Sequence, residues 1–332
     1  MLTEKNIQDA IALGQGNAKR ILQSRTAARQ RRAQALESNS RALSLEVRLS
    51  KPLAAGGTVQ PSEAAAIAPA TLQTAGFLVA IGDSWFDYPL HDVLKDLCDN
   101  YGYNVESTAH AGDPIEAMAY HQGQLDDFPR QLEKVTALGG VPHAALLSGG
   151  GDDIAGPEFG MLLNNAFSPI AGWDAEVVEG VLNERIFIAF INIISSIDSL
   201  IKSYFNRSIP IFVHGYDYPV PDGRGFLGGF GHYLLGPWLE PGFREKNFMD
   251  VTQRVQMMQT ILDKFNTMLA SLPAQFPFVH YLDLRGTLSI DLTNNAYEDW
   301  WASELHPTVD GFAKVTDKFA SPSSSRHRRE AG

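Results

Sequence analysis

The chain has 332 residues, of which 44% are hydrophobic and 20% charged, values usual for a soluble globular protein. Lys and Arg number 27 against 38 Asp and Glu, a net charge of −11, so a broad basic surface for nucleic acid is not expected. The one cysteine, Cys98, excludes an intramolecular disulfide and argues against a cysteine-based zinc site.

Residues 1–75 are predicted to form a basic helical arm followed by a linker rich in Ala, Gly and Pro. Residues 1–51 carry ten Lys or Arg and four Asp or Glu, and good helix formers dominate 5–48. Apolar positions are sparse, so we expect a solvated helix that packs on the body or on a second copy, as in a homo-oligomer. The alternative is a basic arm that binds an anionic surface or nucleic acid.

Residues 76–320 are predicted to form a three-layer α/β/α flavodoxin-like domain with a central parallel sheet. Short apolar runs, such as 77–82, are typical of strands that are buried on both faces of a parallel sheet. Helical patterns alternate with these runs, which indicates helices on both sides of the sheet. The expected strands cover 77–82, 103–109, 143–151, 209–218 and 278–286, and the expected helices cover 91–102, 128–138, 183–207, 248–272 and 307–320. Residues 321–332 are expected to form a disordered tail.

The most apolar stretch, residues 186–194, is too short to cross a membrane and is interpreted as part of a buried helix. The N-terminus lacks the apolar core of a secretory signal, so a cytoplasmic location is expected unless a signal was removed. The histidines show no metal-ligand spacing, and the sequence has neither a phosphate-binding loop nor a dinucleotide motif. No metal and no cofactor are therefore expected.

Polar residues and glycines recur where the predicted strands end. Ser84 follows the first strand, Gly112 follows the second, Asp152 follows the third, and His306 stands just before the last predicted helix. Because ligands bind at the carboxyl ends of parallel strands, these residues are expected to meet at one edge of the sheet. A hydroxyl nucleophile, a histidine base and donors for an oxyanion are the components of an acyl-transfer site.

These four blocks, in this order, resemble the SGNH/GDSL hydrolase superfamily. The blocks VAIGDSWFDYP, HAGD, SGGGDDI and SELHPTVDGF carry Ser84, Gly112, Asp152 and His306, and the resemblance covers roughly residues 76–320. It implies a serine esterase or lipase-like hydrolase that forms an acyl-enzyme on Ser84 and uses His306 as the base. It also implies an oxyanion hole made of the Ser84 and Gly112 N–H groups and the side chain at position 152.

Two positions depart from the family pattern. The oxyanion asparagine is Asp152 here, and a carboxyl group can donate a hydrogen bond only when it is protonated. The alternative is that Asp152 binds a backbone turn outside the hole. If it lines the hole, Asp152→Asn is expected to raise turnover at neutral pH. The acid expected three residues before the histidine is Ser303, so the partner of His306 is expected to be Glu304, Asp299 or a backbone carbonyl.

A long loop rich in Gly and aromatic residues, 216–245, follows the fourth predicted strand. Long loops often form lids or binding loops, so Phe230 and Trp238 are expected to contact substrate, together with Trp85 and Phe86 beside the nucleophile. The alternative is that the loop packs on the body or on a second subunit. These apolar side chains favour a hydrophobic acyl group over a bare acetyl group.

The sequence therefore predicts a serine hydrolase that cleaves a small-molecule or lipid ester. One alternative is a catalytically impaired binding module of the same fold, which the departures at Asp152 and Ser303 favour. Another is an acyltransferase that uses the same nucleophile with an alcohol acceptor. Activity on short p-nitrophenyl esters separates the first reading from the second, and acceptor-dependent product formation identifies the third.

Overall fold

A computed structural model describes residues 2–49, 74–121, 123–226 and 236–330, with side chains described for these ranges outside 39–49 and 321–330. The strands are β1 (Gly76–Ile81), β2 (Tyr103–Ser107), β3 (Pro142–Leu147), β4 (Leu163–Asn164), β5 (Gly172–Trp173), β6 (Ile211–His214) and β7 (Val279–Leu282). The helices are α1 (Glu4–Leu49), α2 (Val93–Asp99), α3 (Ile115–Tyr120), α4 (Gln124–Ala137), α5 (Ala175–Glu179), α6 (Phe187–Phe205), α7 (Glu240–Glu245), α8 (Val251–Gln275) and α9 (Val309–Glu330).

Five parallel strands form the central sheet in the order β2-β1-β3-β6-β7, which is the flavodoxin-like order. Four consecutive residues of β1, from Leu78 to Ile81, are at most 2% exposed, as expected of a strand covered on both faces. Helix α2 packs with α9, and α6 packs with α4 and α8, so helices flank the sheet as a three-layer α/β/α sandwich. The predicted fold class is confirmed.

Each predicted strand of the sheet is present, and most end earlier than the apolar pattern indicates. The third ends at Leu147 rather than 151, and the fourth ends at His214 rather than 218. The residues between the observed and the predicted end of each strand belong to the loops that carry the site. The chain leaves the sheet there because it turns at the carboxyl edge. The small antiparallel pair β4–β5 was not predicted, since two-residue strands leave no periodic signal.

The backbone of α9 continues as a helix to Glu330. The predicted disordered tail, 321–332, covers the end of this helix and two residues, 331–332, that lie outside the described residues. Disorder of the tail stays a prediction.

The first half of the N-terminal arm packs on the body, which is one of the two placements that the sequence analysis left open. Ala10, Ala18 and Ile21 of α1 are at most 5% exposed, and α1 lies along α6. At Gly14 the two helices approach so closely that a Cβ would lie 2.3 Å from the Asn192 carbonyl oxygen. The hydroxyl of Ser196 donates to the Gly14 carbonyl at 3.0 Å. Small side chains thus permit the contact, and the predicted linker at 52–73 lies outside the described residues.

One helical stretch, Ala175–Phe205, is long and apolar enough to cross a membrane by length and composition. Within its most apolar 18-residue window, 78% is buried inside the molecule. It contains α6, which lies between α1 and the rest of the helical layer, so its apolar character reflects burial from several sides. This agrees with the interpretation of residues 186–194 as part of a buried helix.

Candidate active site

Ser84 lies on the turn that follows β1, and buried polar contacts hold that turn. The Asp83 carboxylate accepts a hydrogen bond from the Trp85 N–H at 3.0 Å. The Gln124 side chain pairs with Gly82 in both directions, its carbonyl accepting from the Gly82 N–H and its amide donating to the Gly82 carbonyl, each at 2.9 Å. The nucleophile candidate is therefore presented from a rigid support at the end of a buried strand.

His306 meets Ser84 across 222 residues of sequence, with 2.8 Å between Nε2 and the Ser84 Oγ. The ring lies against two aromatic side chains, stacked on Tyr88 with 4.3 Å between centroids and edge-on to Trp238 at 5.4 Å. Burial lowers the pKa of His306 to about 3, and no charged group contributes to that shift. The imidazole is therefore neutral over nearly the whole accessible pH range.

The second ring nitrogen faces a hydroxyl group. The His306 Nδ1 lies 3.2 Å from Ser303 Oγ, three residues earlier in the same turn. Ser303 is fully buried, and its Oγ also accepts hydrogen bonds from the Leu305 and His306 N–H groups. The side chain beside the imidazole is thus at the position where the family pattern has an acid, and it is uncharged.

Neither predicted acid is the partner of His306. The Glu304 carboxylate turns away and accepts four backbone N–H bonds, from Gly223 and Glu240 at 3.0 Å, Leu239 at 2.8 Å and Trp238 at 2.7 Å. Burial is the largest cause that raises its pKa to about 7. Its role is to hold the segment that leads into α7.

Asp299 is exposed, and its backbone carbonyl accepts a hydrogen bond from the Thr308 hydroxyl at 2.8 Å. The third alternative was a backbone carbonyl as the partner of His306 Nδ1. The structure places the Ser303 hydroxyl there instead. In a tight turn the residue at i−3 returns to the ring, whereas the side chain at i−2 projects elsewhere, and spacing alone did not distinguish these directions.

Asp152 lines the same cavity as Ser84. Burial is the largest cause that raises the pKa of Asp152 to about 8, followed by the nearby carboxylates Asp83, Asp153 and Asp113. The group therefore holds a proton at neutral pH, which meets the condition for a carboxyl group that donates a hydrogen bond.

Gly112 lies in an exposed turn beyond β2, with a positive φ of 85°. A Cβ there would meet nothing within 4 Å, so the backbone conformation and not lack of space is what favours glycine. The turn runs beside the Ser84 turn, because the His110 N–H donates to the Gly82 carbonyl at 2.9 Å. The Ala111 N–H donates to the Asp87 carboxylate at 3.1 Å and anchors the same turn.

A cavity of about 50 Å³ opens beside Ser84. Its apolar lining includes Leu239, Met258, Leu262, Trp301 and Leu305.

The four residues predicted to contact substrate have different positions. Trp85 lines the cavity and donates from its indole nitrogen to the Leu305 carbonyl at 3.1 Å. Trp238 stands against the His306 ring. Phe86 is 3% exposed and packs on His214 and Phe319, so it is a core residue and the expectation for it is wrong. Phe230 lies outside the described residues.

A buried polar network beneath the turn was missed by the sequence analysis. Tyr216 donates to the Asp83 carboxylate and accepts from the Gly151 N–H at 3.3 Å, so it joins the Ser84 turn to the Asp152 loop. Ser148 lies 2.6 Å from the same carboxylate and 2.8 Å from His214 Nε2. Tyr216 was visible only as the first residue of the Gly- and aromatic-rich loop, a signal that does not indicate a contact.

Within the described ranges, no group of three or more His, Cys, Asp or Glu side chains is arranged to hold a metal ion. One of the carboxyl groups near Asp152 binds the backbone. Asp153 accepts from the Ile115 N–H at 2.6 Å and from the Glu116 N–H at 3.4 Å, at the start of α3.

No family model matches the sequence, and no curated protein matches it. Among solved structures, the chain is similar to an extracellular lipase from Streptomyces rimosus, with 16% identity, a TM-score of 0.41, and coverage of 74% of this chain and 99% of that one. A catalytic mutant of an acetylxylan esterase from Geobacillus stearothermophilus has 13% identity, a TM-score of 0.38, and coverage of 76% and 96%. A GDSL-like lipase from Bacteroides thetaiotaomicron has 10% identity, a TM-score of 0.34, and coverage of 75% and 88%.

At this level of similarity the fold class rests on the sheet order of the chain itself. That order, with Ser84, Gly112 and Asp152 after successive strands and His306 before the last helix, agrees with the SGNH/GDSL hydrolase-like fold that the sequence blocks resemble.

Proposed function

We propose that the protein is a serine hydrolase that cleaves carboxylic esters through an acyl-enzyme on Ser84. The observation that carries the proposal is the 2.8 Å contact between Ser84 Oγ and His306 Nε2 at the edge of a cavity. A serine hydroxyl becomes an effective nucleophile when a neutral imidazole within hydrogen-bond reach can accept its proton. Burial keeps His306 in that neutral form by lowering its pKa.

In the proposed reaction, Ser84 Oγ attacks the ester carbonyl while its proton passes to His306 Nε2. The charge that develops on the carbonyl oxygen is stabilised by the Ser84 and Gly112 N–H groups and by the protonated Asp152 carboxyl. His306 then gives its proton to the leaving alcohol. Water activated by the same imidazole releases the acid and regenerates Ser84.

The cavity supports a short apolar acyl group. One water molecule needs roughly 10–15 Å³ of such a cavity, so the cavity has room for about four waters. Met258 and Leu262 of α8, with Leu239, close its apolar wall. We therefore expect acetyl to butyryl esters to be cleaved faster than octanoyl esters, which revises the sequence-based preference against a bare acetyl group.

The test is labelling of the full chain by a fluorophosphonate, with mass mapping of the adduct. We expect the adduct on Ser84. Ser84→Ala should lose the label, and its hydrolysis of p-nitrophenyl acetate should fall to the residual level that binding and the oxyanion donors alone support. The melting temperature should stay close to that of the wild type, because the half-buried hydroxyl contributes little packing. A label on another residue, or activity that survives in Ser84→Ala, would contradict the proposal.

A second candidate is a binding module that has a weakened hydrolase site. Two observations favour it: His306 has the uncharged Ser303 beside Nδ1, and Asp152 stands where an amide would supply a permanent donor. This candidate requires that Ser84 stays unlabelled and that short p-nitrophenyl esters are not turned over at any pH at which the protein is folded.

A further inference from the structure

The hydrogen bonds around Ser303 decide which nitrogen of His306 carries the proton. A serine oxygen has two lone pairs and one hydrogen. Both lone pairs of Ser303 Oγ are taken, because the His306 N–H donates to it at 3.2 Å and the Leu305 N–H donates to it at 3.4 Å. The hydroxyl hydrogen is what remains, and His306 Nδ1 lies within its reach, 3.2 Å from Ser303 Oγ.

We propose that Ser303 holds the resting His306 ring in the tautomer that carries its hydrogen on Nε2, so that the Ser84–His306 pair is switched off. This deepens, and rests on, the proposed hydrolase function. When Ser303 donates to Nδ1, that nitrogen is the unprotonated one. The neutral imidazole then has its hydrogen on Nε2, and the 2.8 Å bond to Ser84 is donated by the ring.

The consequence is that the base has no lone pair where the reaction needs one. Nε2 must be unprotonated to accept the proton of Ser84. To reach the active tautomer, Nε2 releases its proton to water, Nδ1 takes one up from water, and the Ser303 hydroxyl turns away from Nδ1. The net number of protons on the enzyme is unchanged. The wrong tautomer costs about 10⁴-fold in turnover where a triad aspartate is replaced by asparagine.

Among the described residues, no charged group contributes to the pKa shift of His306, so none competes with Ser303 at Nδ1. Tyr88 and Trp238 present aromatic faces and edges to the imidazole, and Ser84 presents its hydroxyl. Glu304, the nearest acid in sequence, is directed to four backbone N–H groups. Among the described residues, Ser303 is therefore the polar side chain that selects the tautomer at Nδ1.

A carboxylate at position 303 would reverse the selection. It has no hydrogen to donate, so it must accept one from Nδ1–H, and Nε2 is then free to act as the base. The two N–H groups of Leu305 and His306 that now donate to the hydroxyl would also stabilise the carboxylate. Ser303→Asp is thus expected to raise activity although it places a charge at a fully buried position.

The first measurement is ¹⁵N–¹H correlation spectroscopy of the imidazoles in full-length protein labelled at histidine, with His306→Asn to assign the signals. At pH 7 we expect His306 Nε2 to be the protonated nitrogen and Nδ1 the unprotonated one. Ser303→Thr keeps a hydroxyl and should keep this pattern, whereas Ser303→Asp should invert it. A wild-type spectrum with the proton on Nδ1 would overturn the proposal.

The second measurement is turnover of p-nitrophenyl acetate and the rate of fluorophosphonate labelling. We expect Ser303→Asp to increase both by about 10²-fold or more. Ser303→Ala, which removes the donor and adds no charge, should increase both by up to about tenfold. If Ser303→Asp does not fold, Ser303→Ala and the wild-type spectrum decide the matter. A folded Ser303→Asp that is no faster than wild type, or a slower Ser303→Ala, would overturn the proposal.

The two measurements separate this proposal from the hydrolase function. Protonated Nε2 with no labelling of Ser84 in any variant would support the tautomer and reject the hydrolase. Labelled Ser84 with the proton on Nδ1 would support the hydrolase and reject the tautomer.

Discussion

The two sides of Ser84 differ in charge in a way that inverts the family pattern. On the side of His306, the ring meets Ser303 and two aromatic residues, and no charged group contributes to its pKa shift. On the other side, Asp152 is crowded by Asp83, Asp153 and Asp113. The proposed base, His306, therefore has a hydroxyl group where the family pattern has an acid, and the proposed oxyanion position has the acid Asp152 where the family pattern has an amide.

This difference sets opposite protonation requirements on the two sides. His306 acts as a base only when neutral, and its lowered pKa, about 3, keeps it neutral above that pH. Asp152 donates only when protonated, and its raised pKa, about 8, keeps it protonated below that pH. Turnover is therefore expected to reach a plateau between roughly pH 3 and pH 8, within the limits of stability, and to fall at higher pH as the donor is lost.

Asp152→Asn should change the dependence of turnover on pH more than any other variant in this comparison. The amide keeps a donor at every pH, so turnover should no longer fall above pH 8. Because one oxyanion donor is worth about 10²–10³ in turnover, the variant should exceed the wild type by that order near pH 10. At pH 6 the turnover of the variant and of the wild type should be similar. The gain that the sequence analysis expected at neutral pH is therefore expected in the alkaline range instead.

The measurement is kcat against pH for p-nitrophenyl acetate, corrected for spontaneous hydrolysis. Asp299→Asn is the matched control, since the same exchange occurs at an exposed residue away from His306. An alkaline fall that is unchanged in Asp152→Asn would show that Asp152 does not contribute to the oxyanion hole.

Tyr216→Phe should have a smaller effect, because it loosens the connection between the two sides without removing a reacting group. The phenol joins Asp83, beside Ser84, to the Gly151 N–H beside Asp152. Removing it leaves the Asp83 carboxylate short of one buried donor, so we expect kcat to fall about tenfold with little change in KM.

Tyr218→Phe is the control for Tyr216→Phe. It removes the same phenol hydroxyl from a residue two positions away, where the partner is the exposed Asp263 at 2.7 Å. A fall in kcat of the same size in both variants would argue against the role of Tyr216 as a positioning residue.

Glu304→Gln should have the smallest effect on turnover and a clear effect on stability. An amide cannot accept at both of its atoms, so two of the four backbone N–H groups lose their acceptor, at a cost of about 1–3 kcal/mol. We expect a lower melting temperature in calorimetry and a kcat within tenfold of wild type. A loss near 10⁴-fold would instead identify Glu304 as the acid that orients His306.

Much of the fold could be predicted from local sequence. Parallel strands covered on both faces must be apolar throughout, so runs such as 77–82 identify the sheet, and the glycines and polar residues after them mark its carboxyl edge. Ser84 and His306 were selected in this way because each follows or precedes a recognisable element, and the structure brings them into contact although 222 residues separate them.

The partners of these residues were decided by tertiary structure. Phe86 lies two residues after the nucleophile candidate, Ser84, but packs in the core against His214. Tyr216 reaches Asp83 across 133 residues, and no local pattern announces that contact. Such contacts depend on where a side chain points after the loops have closed, which residue spacing does not specify.

Sequence by itself determined the layers of this protein, the order of its blocks and the two departures at Asp152 and Ser303. Tertiary structure decided what those departures do. Burial among other carboxylates keeps Asp152 protonated, and the turn before α9 brings the Ser303 hydroxyl, rather than Glu304, to the imidazole. Protonation and hydrogen-bond direction depend on the local dielectric and on the count of nearby donors, and both exist only once the chain has folded.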